Sequence, residues 1–377
     1  MSILLTIKSF FATIFAVLIS LSSILSPVFL KWTQGETGFV KWSKDDEFEI
    51  SDTIEIQKKH GKDFVILNLT DCQLSFCESY KEEGKVLKYT IDKLVEETQP
   101  DLITVTGDNA WCTSAYLWFV KLMDSYNIPW APIMGNHDGQ STPSEWWCAY
   151  QLANARNCLF KYGPEGMGYG NYIINVVESD SNGYKKYVHT LFMMDTHSNC
   201  DDNENGIINS VNGSGGYDNL WANQMEWYEW AVNGIKELNH GETVESTLFI
   251  HIPLCEYKDA MALTCDIDES GSFTGIKEEY KDTVFGANHE GICSAPGNNG
   301  MFALIKSLGS TKNVICGHDH INSLSIPYEG VRLSYALKTG KGCYWEEGMN
   351  GGSVVTFGVD GEASFSHFYI DPSPAMN

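Results

Sequence analysis

Ile133-Met134-Gly135-Asn136-His137-Asp138 is the stretch on which the reading of this chain turns. An apolar run that starts at Pro129 stops at Gly135, and three polar side chains follow at once. The run reads as a strand, with Gly135 letting the backbone turn sharply out of it. Asn136 can offer its carbonyl oxygen to a metal, and His137 can carry a proton beside that metal. Gly, Asn and Asp are also ordinary turn residues. The hexapeptide alone therefore supports either a turn or a site, and the rest of the chain decides.

Two similar patterns precede it. Asp63 to Leu69 reads as a buried strand that stops at Thr70-Asp71-Cys72-Gln73. A charged, periodic segment from Glu78 to Glu97 reads as a helix ended by Pro100. Asp101 to Thr106 is a second strand, stopping at Gly107-Asp108-Asn109, and Ser114 to Tyr126 reads as a second helix. The order is thus β-α-β-α-β. In open α/β sheets, sites form beyond the carboxyl ends of the strands, so the topology gathers these polar clusters. Downstream, Tyr172–Val177 and Tyr187–Met194 read as strands and Trp221–Leu238 as an amphipathic helix. Ser246 to Ile250 is a strand stopping at His251. Met301–Leu308 reads as a helix, and Asn313 to Cys316 as a strand stopping at Gly317-His318-Asp319-His320. Short alternating strands finish the chain. Residues 139–170, 198–217 and 258–297 read as long irregular walls of the kind that surround active sites.

Five strand ends therefore carry polar sets: Asp71 with Gln73, Asp108, Asn136 with His137, His251, and His318 with His320. Oxygen and imidazole ligands with one shared carboxylate are what a two-metal site for phosphoryl chemistry requires. Asp108 is the natural bridge, because its strand lies between those that supply the other groups.

These motifs resemble the calcineurin-like metallophosphoesterase superfamily. The stretches His251 to Tyr257, Gly291 to Pro296, Gly317 to Asn322 and Thr339-Gly340 with Tyr344 are similar to a plant and fungal purple-acid-phosphatase-like branch. The resemblance implies a four-layer α-β-β-α sandwich, two mixed sheets flanked by helices, over residues 61–377. It implies two divalent ions (Mn, Fe, Zn or Mg). One would be held by Asp71, Gln73, Asp108 and His320, the other by Asp108, Asn136, His251 and His318. Water or hydroxide on the metals would attack a phosphate ester, and His137 would protonate the leaving oxygen or stabilise its charge. A phosphomonoester is the expected substrate, as a small molecule or a phosphoprotein. A phosphodiesterase, or a catalytically weak binding protein that keeps the fold, are the alternatives.

Two departures stand out. The family carries His where this chain has Gln73, whose amide oxygen is a weaker ligand than imidazole. Trp111 stands where purple enzymes carry a metal-bound Tyr, so no charge-transfer colour is expected. Three further residues have two readings each. Asn109 either orients phosphate or caps its turn. Asp138 either orients the His137 ring or serves the turn. His289 either contacts substrate or is a loop histidine.

The remaining features bound the setting. The 377 residues carry a net charge of -24, which argues against nucleic acid as a partner and against a polybasic membrane surface. Lys8 is the only charge before Lys31, and the apolar segment 9–30 reads as a signal peptide or a membrane anchor. That points to the secretory route and an extracellular or membrane-tethered protein. Residues 31–60 read as a linker and edge segment. The 11 cysteines show no metal spacing, and some pairing is expected in an oxidising compartment. Asn212-Gly213-Ser214 reads as an exposed glycosylation sequon, and Asn68-Leu69-Thr70 as an inaccessible one.

Overall fold

The computed structural model describes residues 38–75, 79–140, 143–179, 185–199, 216–359 and 362–376. The apolar segment 9–30, the Asn212 sequon, Cys77 and Cys200 lie outside these residues. The first half of the chain runs β1 (Ile54–Lys58), β2 (Phe64–Leu69), α1 (Ser79–Thr98), β3 (Leu102–Thr106), α2 (Thr113–Ser125), β4 (Trp130–Ile133), α3 (Glu145–Ala153), β5 (Tyr172–Ser179) and β6 (Lys185–Met193). The second half runs α4 (Ala222–Leu238), β7 (Ser246–Phe249), α5 (Glu256–Thr264), β8 (Cys265–Ile267), β9 (Phe273–Ile276), α6 (Met301–Leu308), β10 (Thr311–Cys316), β11 (Ser325–Tyr328), β12 (Val331–Tyr335), β13 (Gly351–Phe357) and β14 (Ala363–Tyr369).

Two mixed sheets result. One has the order β14-β13-β2-β3-β4, and the other β1-β5-β6-β7-β10-β12-β11. Strands β2, β3 and β4 run parallel, as do β6, β7, β10 and β12. Strands β2, β3 and β4 are buried at nearly every residue because both faces are covered. One core joins α1, α2 and α3 to the five-stranded sheet, and includes Ile174, Leu191, Phe249 and Ile315 from the facing sheet. A second core packs the outer face of the seven-stranded sheet against α4, α5 and α6. The layers are thus helix, sheet, sheet, helix, as the motif resemblance implies. His189 lies in the seam, its ring stacked on Phe357 with centroids 4.0 Å apart, and burial pushes its pKa down to about 3.

The expected elements are present with ends shifted by one or two residues, and the differences have physical causes. Helix α3 falls in a stretch read as irregular. Ser144 caps it by accepting a bond from Trp147 N, but Trp146, Trp147, Cys148, Ala149 and Leu152 are all buried, so no polar stripe gives it a helical period. Helix α5 and the β8–β9 hairpin likewise order part of 258–297. The segment read as linker and edge holds β1, which pairs parallel with β5 at the sheet margin. Phe48 from the same segment packs edge-on against Trp230 of α4, centroids 4.8 Å apart. Asn68 is buried in β2, in agreement with an inaccessible sequon. Against the expected pairing, all nine cysteines among the described residues are free. Most are buried in separate parts of the two cores, where they serve as small apolar residues. Among the described residues, no helix is long and apolar enough to cross a membrane.

Candidate metal centre

The carboxyl ends of β2, β3 and β4 meet those of β7 and β10 where the two sheets face each other. Gly135 does not have the left-handed backbone that a sharp turn suggests. It is needed for close approach instead: a Cβ there would lie 2.2 Å from Asp108 Oδ1. The strain sits on the functional residues. Asp71, Gln73, Asp108 and His318 all have φ between 38° and 78°, which costs roughly 1–3 kcal/mol each.

On the side of the seven-stranded sheet, Asn136 Oδ1 lies 2.9 Å from His251 Nε2 and 2.9 Å from His318 Nδ1. The two imidazole nitrogens are 3.3 Å apart, and Asp108 Oδ1 is 3.4 Å from His251 Nε2. His251 Nδ1 donates to Thr106 O at 2.7 Å, so neutral His251 turns a lone pair inward. With both rings neutral and His318 protonated on Nε2, two imidazole lone pairs, an amide oxygen and a carboxylate oxygen converge there. Such a set fits a cation. The carboxylates favour positive charge here, as a proton on His251 or as a cation in its place. Burial opposes the charge on His251, yet Asp108 and Asp71 push its pKa up to about 10. Burial and His251 push His318 down to about 3.

On the other side, Asp71, Asp108 and His320 each offer one ligand atom, all within 4.8 Å of one another. His320 Nδ1 donates to Tyr344 O at 3.1 Å, leaving Nε2 3.4 Å from Asp71 Oδ1. That buried Asp71 oxygen has no hydrogen-bond donor. Burial resists ionisation of Asp71 and Asp108, but His320 beside the first and His251 beside the second hold both carboxyls far below the usual range. Gln73 is buried in the same cluster with its amide reversed from a ligand's. Its nitrogen donates to Asp108 Oδ2 at 2.8 Å, and its oxygen accepts from Lys338 Nζ at 3.0 Å.

The calcineurin-like phosphoesterase family model matches residues 64–322. This chain belongs to that family. Within it, the chain is similar to proteins named probable inactive purple acid phosphatase 14 and 29 of Arabidopsis thaliana. Identity to the first is 24% over 331 residues, covering 82% of this chain and 74% of that protein. To the second it is 26% over 330 residues, covering 82% and 76%. Phosphatase DCR2 of Saccharomyces cerevisiae is 25% identical over 291 residues, covering 71% of this chain and 46% of that protein. The chain is a metallophosphoesterase, and its family acts on phosphorylated substrates with a dinuclear metal site.

The other candidate residues of this phosphoesterase fall into place around that centre. His137 is partly exposed, with Nε2 4.0 Å from Asp108 Oδ2 and its ring 4.3 Å from that of Trp111. Asp138 does not touch the His137 side chain. Its carboxylate accepts from the backbone N–H of Gly135, Asp108 and Asn109 and from Asn109 Nδ2, so it ties the β3 and β4 loops together. Burial and Asp108 push it up to about 7. Asn109 is fully buried, with its amide N–H on Asp138, which is the turn reading rather than phosphate contact. His289 sits at the rim and pairs with Glu346 at 2.9 Å. Tyr344 lies over the His320 ring at 4.1 Å.

Three residues escaped the sequence reading. Gln140 Oε1 is 2.6 Å from His137 Nδ1, Gln140 Nε2 donates to Ser198 Oγ at 2.9 Å, and Ser198 Oγ donates to Asn136 O at 2.9 Å. Gln140 and Ser198 were concealed in stretches read as loop walls. Lys338 had no signal except its position just before Thr339-Gly340.

Proposed function

We propose that this protein hydrolyses phosphomonoesters, with Asp71, Asp108 and His320 on one side and Asp108, Asn136, His251 and His318 on the other holding divalent ions. The observation that carries the reading is the convergence of His251 Nε2 and His318 Nδ1 on Asn136 Oδ1 beside Asp108, a buried place whose carboxylates favour positive charge. Bound divalent ions supply Lewis acidity toward phosphate oxygens and a nucleophile drawn from water near neutral pH. The side chains do the rest. His251 is locked in one tautomer by Thr106 O. His137 is oriented by Gln140, whose nitrogen is committed to Ser198, so its oxygen must accept the Nδ1 proton. The remaining nitrogen, Nε2, faces the centre and can deliver a proton to the leaving oxygen. Trp111 packs beside that ring, centroids 4.3 Å apart.

Purified protein is expected to hydrolyse p-nitrophenyl phosphate with added Mn and to lose that activity with a chelator. A chain that holds no divalent ion by ICP-MS, and whose His318→Ala variant hydrolyses as fast as wild type, overturns this reading. A panel of monoesters, diesters and phosphopeptides then decides the substrate class. The competing reading is a catalytically weak binding protein of the same fold. It is favoured by the engaged oxygen of Gln73 and by the word inactive in the names of the two plant relatives. Tight ion binding without turnover on any panel member would support it.

A further inference from the structure

Lys338 is a buried cation that the proposed chemistry does not use. It is 2% exposed, and its Nζ lies 3.0 Å from Asp71 O and 3.0 Å from Gln73 Oε1. Both partners are neutral oxygens. An ammonium only donates and a carboxylate only accepts. A group bridging Lys338 to Asp108 must therefore put an acceptor toward the lysine and a donor toward the aspartate. The amide of Gln73 does both, and the two residues are chemically matched.

The segment carrying Lys338 is pressed on the Asp71–Gln73 loop. Thr339 N donates to Thr70 O at 2.9 Å, and Thr70 N donates to Thr339 Oγ1 at 3.1 Å. A Cβ at Gly340 would lie 2.0 Å from Cys72 O, and one at Gly342 would lie 1.7 Å from Gln73 O. The ammonium is thus fixed in place. Burial pushes its pKa down, while Asp71 and Asp108 push it back up. Those two carboxylates are the ones a metal on the His320 side would use.

We propose that Lys338 and Gln73 replace one ligand of the Asp71–Asp108–His320 position with a fixed internal cation. That position becomes a low-affinity one, and the tight ion sits at Asp108, Asn136, His251 and His318. The inference rests on the metallophosphoesterase reading and states how its two positions differ. The weak position has three protein ligands, one of which, Asp108, already accepts from Gln73 through Oδ2. One divalent ion together with the ammonium already exceeds the charge of the two carboxylates. A second ion would add positive charge with no new anion to meet it.

The test is a Mn titration of the chelator-stripped full chain by calorimetry, with EPR at one equivalent. Wild type is expected to take one ion tightly and a second about 10- to 100-fold more weakly, the range over which groups behind a ligand tune metal affinity. At one equivalent the signal should be that of an isolated ion, not of an exchange-coupled pair. Lys338→Met should tighten the second ion by about tenfold or more. Gln73→His alone should leave it weak, because the imidazole still meets the ammonium. The double variant should bind two ions with similar affinity. Two equal ions and a coupled signal in wild type overturn the inference while leaving the metal reading intact. So does a folded Lys338→Met whose second ion is unchanged. Should Lys338→Met fail to fold, the wild-type stoichiometry and Gln73→His still decide. No ion at any Mn concentration rejects the metal reading itself.

Discussion

On one side of the centre, the ring nitrogens of His251 and His318 converge on Asn136 Oδ1 beside Asp108. On the other, the amide of Gln73 supplies a donor to Asp108 and takes one from Lys338. Both sides grow from the same device, a parallel strand ending in a polar turn. What separates them is what stands behind the ligand. His251 is backed by a carbonyl, which leaves its inner nitrogen free for a cation. Gln73 is backed by an ammonium, which is already a cation. A ligand-bearing strand end is therefore insufficient to define a metal position; its support decides what the ligand faces.

The sharpest way to break the comparison is His318→Ala. It removes a ligand from the lone-pair side alone, so metal retained after desalting should vanish by ICP-MS, and hydrolysis with it. His137→Ala leaves both sides standing. kcat should fall by roughly 100-fold or more at unchanged metal content. Gln140→Ala removes the acceptor of the His137 ring and a donor to Ser198 but no proposed ligand, so its effect should be smaller and should fall mainly on kcat. Gly342→Ala disturbs the Lys338 side alone, pushing on the Gln73 backbone. A loss of about 1–3 kcal/mol in denaturant unfolding is expected, with the tight ion still bound.

Acid should weaken the frame shared by both sides. His189 is buried and His367 half-buried, and burial pushes their pKa values down to about 3 and about 4. The unfolded chain then binds the extra protons, so stability falls as pH drops below the ordinary value of 6.5. At pH 5 the loss is about 2 kcal/mol for each. Thermal melts of the metal-free chain from pH 7 to 5 check this, and His189→Gln should reduce the slope.

Much of this was legible before any coordinates. The five strand ends announce themselves because buried parallel strands are continuous apolar runs, and a polar cluster after each is conspicuous. Asp71, Asp108, Asn136, His251, His318 and His320 were all found that way. Gln140 and Lys338 were not, because a supporting residue needs only to reach a ligand in space. Gln140 lies in a turn with no period, and Lys338 comes 265 residues after the Gln73 oxygen it holds. Asp138 had two readings, orienting the His137 ring or serving the turn, and the sequence could not choose: adjacency to His137 suggests contact, while the turn aims its carboxylate back at the β3 loop. Helix α3 escaped because burial on most sides erases the amphipathic signature.

The segment that fastens the Asp71–Gln73 loop has a consequence for how the molecule comes to exist. Asp71 leaves the ribosome long before the residues that fasten its loop, Thr339, Gly340 and Gly342; Thr339 comes 269 residues after Thr70. Until then the left-handed backbone at Asp71 and Gln73 is held from the β3 side, by Gly107 O and Asp108 O. A nascent chain can order its first parallel strands, but its centre stays unassembled until Lys338 to Gly342 emerge. A nonsense mutation shortly before Lys338 would thus leave most of both sheets and all six strongest candidate ligands encoded, and still yield no properly formed site.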